Sequence, residues 1–132
     1  APAQLTTLLL PALRKAHGLV VMLNSGAGTR VWPGQGLYCA AKHGLRALAD
    51  ALREEERGHI RVTTIYPGRT DTAMQRRLHS LGATAGSGKG GDYCASDHMQ
   101  AASVAKAIRL AVDTPLDATI EDLHIRPSDL QD

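Results

Sequence analysis

Apolar positions divide this chain into helical and extended segments. Leu5, Leu8, Leu9, Ala12 and Leu13 recur at intervals of three and four, which puts them on one face of a helix that Pro2 opens and Gly18 stops. Leu19–Leu23 is a short unbroken apolar run, β-branched in part, and reads as a strand buried on both faces. Helical spacing returns with Tyr38, Ala41, Leu45, Leu48, Ala49 and Leu52, predicting a helix over about 37–57. A second strand follows over 60–66, cut off by Pro67-Gly68. Short helices are predicted over 73–80 and 101–112. The imperfect alternation of Ile120, Leu123 and Ile125 predicts a last strand over 118–126. Two glycine-rich stretches read as loops: residues 25–36, and 82–91 extending to about 100, the latter as a substrate lid.

Helices alternating with strands specify an α/β chain built on a parallel sheet. The first helix has no strand in front of it, so the outer edge of the 19–23 strand is expected to be bare and ready to pair. The whole chain, 1–132, therefore reads as one partial domain, the C-terminal part of a larger fold. The leucine stripes at Leu5–Leu13 and Leu45–Leu52 are expected to be core first. Their surplus apolar positions suit helix-on-helix contacts between copies.

Composition narrows the function classes. At 132 residues the chain holds one domain at most, and 43% hydrophobic with 21% charged residues suits a folded chain. No apolar run approaches the roughly 20 residues of a membrane span, and no secretory leader pattern is present, so a cytoplasmic setting is expected. Cys39 and Cys94 make neither a disulfide framework nor a zinc-ligand spacing, and no metal is expected. A net charge of +2, scattered basic residues and no phenylalanine argue against a nucleic-acid surface. Arg53, Arg57 and the Arg76-Arg77 pair read as solvated helix ends.

Candidate chemistry lies at three points. Tyr38 and Lys42 stand four apart in a predicted helix and so project from one face. A cation beside a phenol stabilises the phenolate, and a phenol with such a neighbour can exchange a proton near neutral pH. Ser25 closes the first strand, thirteen residues before Tyr38, where its hydroxyl could bond a substrate oxygen. Pro67, Gly68, Thr70 and Thr72 follow the second strand, and carboxyl ends of parallel strands are where such folds bind ligands.

These residues resemble the short-chain dehydrogenase/reductase family: Asn24-Ser25-Gly26-Ala27-Gly28, then Tyr38-Cys39-Ala40-Ala41-Lys42, then Pro67-Gly68 with Thr72 four residues after the glycine. The resemblance implies the C-terminal catalytic half of a doubly wound, Rossmann-type fold, with the N-terminal dinucleotide-binding half absent from this chain. It implies a small carbonyl or alcohol substrate, hydride transfer with NADP or NAD (NADP favoured) and a homo-oligomer. In that scheme Tyr38 is the general acid/base, Lys42 supports it and bonds the nicotinamide ribose, and Ser25 steadies the substrate oxygen. Pro67, Gly68, Thr70 and Thr72 hold the nicotinamide side. Residues 67–75 also resemble the sepiapterin and benzil reductase branch. The family's glycine-rich turn after its first strand is not found here. The only G-x-G-x-x-G, Gly86 to Gly91, follows no predicted strand and fails the context that motif requires. The alternative expectation is a non-catalytic fragment or assembly module that cannot bind cofactor alone.

Overall fold

The computed structural model of this chain describes residues 1–82 and 93–128. Four helices and five strands are present among them: α1 (Pro2–Lys15), β1 (Leu19–Leu23), α2 (Gly36–Glu55), β2 (Arg61–Pro67), β3 (Thr70–Asp71), α3 (Ala73–Ser80), β4 (Met99–Gln100), α4 (Ala101–Asp113) and β5 (Asp122–Ile125). Single 3-10 turns lie at Gly26–Gly28 and Ala95–Asp97. The main sheet has the order β1-β2-β5, all parallel, with Leu19 opposite Arg61 and Thr64 opposite Asp122. β3 and β4 form a separate parallel pair, Thr70 opposite Met99.

The α1–β1 turn shows why Gly18 is needed. His17 takes a left-handed backbone (φ 46°), and the Gly18 N–H bonds back to the Leu13 carbonyl at 2.9 Å. A Cβ on Gly18 would sit 2.8 Å from the Leu13 Cδ2, so a larger residue here would push that leucine side chain aside. One face of the sheet is packed by Met22, Ala49, Leu52, Ile60 and Val62, with Leu10, Leu13, Val20, Leu45 and Leu48 against them. Because side chains alternate along a strand, Thr63 and Ile65 belong to the other face, and both are fully inaccessible. β2 is thus covered on both faces, and α4, with Val104, Ala107 and Ala111 buried, packs on it as well.

Four expectations need correction. The leucine stripe of α1 is not core: Leu5, Leu8 and Leu9 are exposed, and only Leu10 and Leu13 reach the packed cluster. β1 is only half-buried, with Leu23 largely open, because no strand among the described residues pairs with its outer edge. The last strand occupies Asp122–Ile125 alone, since the stretch before it runs as turns and irregular backbone. Arg53 is no solvated helix end. Its side chain is 14% exposed, and its guanidinium bonds Asp50, the Thr64 hydroxyl and the carbonyls of Val62 and Glu121, tying α2 to β2 and to the approach of β5. Of the expected 82–100 loop, 83–92 lie outside the described residues, while 95–100 hold the 3-10 turn and β4.

Candidate active site

The carboxyl ends of β1 and β2 open on one cleft of about 470 Å³. Ser25 comes from the end of β1, Tyr38 and Lys42 from the first turns of α2, and Pro67 and Gly68 from the end of β2. Thr70, Thr72, Met74 and Gln75 add one wall, and Ala101, Val104, Ala105 and Ile108 of α4 add another. Ser25, Tyr38, Lys42, Pro67, Gly68, Thr70 and Thr72 therefore line a single cavity. Trp32 does not; a Cβ on Gly26 would lie 3.5 Å from its ring, so it anchors the loop over the Gly26–Gly28 turn.

Each hydroxyl and amine in the cleft has a definable state. Ser25 caps the following 3-10 turn, its Oγ accepting from the Ala27 N–H at 3.2 Å. Since the oxygen is used as an acceptor, the hydroxyl proton stays free to be donated. The Lys42 Nζ donates to the carbonyl of Leu23 at 3.2 Å and to that of Asn24 at 3.5 Å, and it lies 5.9 Å from the centre of the Tyr38 ring. Burial pushes the Lys42 ammonium below the usual lysine range. Tyr38 itself is 41% exposed, so its phenol is accessible from the cleft. Among the described lining residues Lys42 carries the one full charge.

Asn24 organises the trio, a role that its place in the sequence motif alone does not reveal. It is 4% exposed; its Oδ1 accepts from the Ser25 N–H at 2.9 Å and its Nδ2 donates to the Lys42 carbonyl at 3.1 Å. The Asn24 N–H is itself held by the Ile65 carbonyl at 2.8 Å. A Cβ on Gly28 would come within 2.5 Å of the Asn24 Oδ1, so the glycine makes room for this amide. Thr72 caps α3, accepting from the Gln75 N–H at 3.2 Å, and the Thr70 hydroxyl donates to the Gly68 carbonyl at 3.1 Å. Gly68 passes close under β5, where a Cβ would meet Arg126 at 3.3 Å.

A parallel-sheet edge carrying a serine, a tyrosine and a lysine in one cleft invites comparison with known proteins. The family model for short chain dehydrogenases matches residues 1–81. This chain belongs to the short-chain dehydrogenase family. An uncharacterized oxidoreductase of Staphylococcus saprophyticus is 30% identical over 123 residues, which are 90% of this chain and 48% of the relative. An alcohol dehydrogenase from the archaeon Thermococcus sibiricus, complexed with 5-hydroxy-NADP, superposes with a TM-score of 0.73 at 24% identity, covering 96% of this chain and 49% of the other. 4-Hydroxyisoleucine dehydrogenase complexed with NADH gives a TM-score of 0.71 at 21% identity, covering 96% and 53%. The short-chain dehydrogenase chain described here thus spans about half the length of the relatives it matches. Among its described residues no helix is long and apolar enough to cross a membrane, and no three acidic, His or Cys side chains are grouped to hold a metal.

Proposed function

We propose that this chain supplies the catalytic part of a nicotinamide-dinucleotide-dependent oxidoreductase that interconverts a carbonyl and a secondary alcohol. The observation that carries the reading is the convergence of Ser25, Tyr38 and Lys42 on one cleft at the carboxyl edge of the sheet. In the reducing direction the Tyr38 hydroxyl gives its proton to the carbonyl oxygen; in the oxidising direction the phenolate takes the proton of the alcohol. The Lys42 ammonium, held by two main-chain carbonyls, supplies positive charge beside that phenol and so favours its phenolate. Ser25 donates its free proton to the substrate oxygen and fixes it against Tyr38.

The donor set of the cleft fits the nicotinamide side of NADP or NAD. Lys42 would bond the ribose hydroxyls, Pro67 and Gly68 would bound the flat ring, and Thr70 and Thr72 would hold the carboxamide and pyrophosphate side. When bound, the dinucleotide supplies or accepts the hydride. The apolar wall of Met74, Val104 and Ile108 favours a substrate with an uncharged carbonyl neighbourhood. Exposed Leu5, Leu8 and Leu9 on α1 are the positions for helix-on-helix association of copies.

Replacing Tyr38 by phenylalanine removes one oxygen from a side chain open to the cleft, so the fold is retained. Turnover is expected to fall about 10²–10⁴-fold. Wild-type turnover in that variant would overturn the assignment.

A further inference from the structure

Behind the cleft wall, side chains from α3 and from the segment leading into β4 converge on Asp71. Thr70 and Thr72 line the cleft; alternation along an extended segment sends the side chain between them to the opposite side, and Asp71 is not among the lining residues. Its carboxylate accepts from Arg76 twice, Nε to Oδ1 at 2.8 Å and Nη2 to Oδ2 at 2.7 Å. The Tyr93 hydroxyl donates to the same Oδ1 at 2.6 Å. The Tyr93 ring in turn lies 4.6 Å from the His98 ring, meets His79 edge-on at 5.6 Å, and has the Arg76 guanidinium 6.0 Å from its centre. The Asp71 side chain is 9% exposed, and its bonds to Arg76 and Tyr93 pull its pKa down to about 2. Main-chain pairing runs alongside, with the Met99 N–H bonded to the Arg69 carbonyl at 2.9 Å and Asp71 opposite Gln100.

This cluster answers a problem that α3 poses. The helix has eight residues, none of them buried, and Met74 is 62% exposed. A helix that short is not stable by itself in water, and it lacks the buried apolar face by which longer helices are held. Yet two of its residues, Met74 and Gln75, and its cap Thr72 form a wall of the cleft. We propose that Asp71, Arg76 and Tyr93 form a clasp that positions Thr70, Thr72 and the α3 wall for ligand binding, the three acting as positioning residues. The inference rests on the reading of the cleft as a nicotinamide and substrate site. Charge-assisted bonds suit the task because they are directional and stronger than neutral ones, so a short polar helix keeps one orientation without a core beneath it.

The test compares wild type with Tyr93→Phe and Asp71→Asn in the full-length protein, with Asp71→Glu as the conservative variant. Two readouts are used. Amide hydrogen exchange without dinucleotide should quicken roughly tenfold or more over 72–80 in Tyr93→Phe and Asp71→Asn, while β1, β2 and α2 keep their protection. Steady-state kinetics with NADPH should show a Michaelis constant raised roughly tenfold with kcat within about twofold, and Asp71→Glu should recover part of the loss. Unchanged exchange over 72–80 overturns the clasp. So does a uniform loss of protection across the sheet with kcat and the Michaelis constant both impaired, which marks a general stabilising contact. Quickened exchange confined to 72–80 upholds the clasp even where wild type shows no turnover, the result that would sink the proposed activity alone.

Discussion

Asn24 and Lys42 hold each other from both ends: the Asn24 amide donates to the Lys42 backbone carbonyl at 3.1 Å, and the Lys42 ammonium donates to the Asn24 carbonyl at 3.5 Å. The end of β1 and the second turn of α2 are thereby tied side chain to main chain in both directions. Ser25 shares the tie through its N–H. The serine, the tyrosine and the lysine consequently sit on one small rigid unit.

Asn24→Ala breaks that unit. The half-buried Ser25 N–H loses its acceptor and the Lys42 carbonyl loses a donor, a cost of about 1–3 kcal/mol. A lowered urea midpoint with unchanged m-value, and turnover reduced beyond what the stability loss explains, are expected. Urea unfolding followed by circular dichroism, with initial-rate kinetics on the folded fraction, measures both.

Gly28→Ala attacks the same amide from the other side. The added methyl carbon would lie 2.5 Å from the Asn24 Oδ1 and 2.8 Å from its Nδ2, well inside contact distance, so one of the two must shift. Overpacking of this kind costs about 1–3 kcal/mol. A variant as stable and as active as wild type would show that the Asn24 side chain is not needed where it lies.

Acid should act through Asp71. Its carboxyl is held at about 2, below the ordinary 3.8, by Arg76 first and Tyr93 second, with His98 also facing it. A depressed carboxylate contributes stability that is fully present above the unfolded value and is lost as pH falls through the folded one. The stability gap between wild type and Asp71→Asn is therefore expected to hold from neutral pH down to about 5, to shrink progressively below it, and to be mostly gone at about pH 2. Thermal unfolding of the two proteins across that range gives the comparison, and a gap unchanged at pH 2 contradicts it.

Binding of the dinucleotide by these 132 residues alone is expected to be weak. The pyrophosphate of such ligands is held at a helix N-terminus reached by a glycine-rich turn from a strand, and this sequence contains none in that context. Titration of NADPH fluorescence against the 132-residue chain should show no saturation in the micromolar range. Saturation there would mean that another segment, Gly86 to Gly91 first, holds the phosphates.

Local geometry was readable from sequence wherever one element carries it. Four-residue spacing in a helix is enough to bring Tyr38 and Lys42 together, and a serine ending an apolar run must lie at a strand end. The 73–80 helix matches its expected bounds for the same reason, with Thr72 as its cap. What escaped depends on distant partners. Asp71 and Tyr93 are separated by a glycine-rich stretch with no periodicity, and two-residue strands such as β3 and β4 leave no alternation to detect. The α1 stripe shows the opposite failure: spacing identifies an amphipathic face but not what covers it. Arg53 reads from sequence as a solvated helix end, and only the packing of α2 over β2 reveals its hydrogen-bond partners.

The outer side of β1 bears on how this polypeptide must be handled. That edge, which no strand among the described residues pairs, lies beside an apolar groove of about 530 Å³, floored by Leu19–Leu23 and flanked by Leu5, Leu9 and Leu13 of α1. Such a surface accepts extended backbone from any chain that meets it. Aggregation of these 132 residues on refolding is therefore expected to rise with protein concentration.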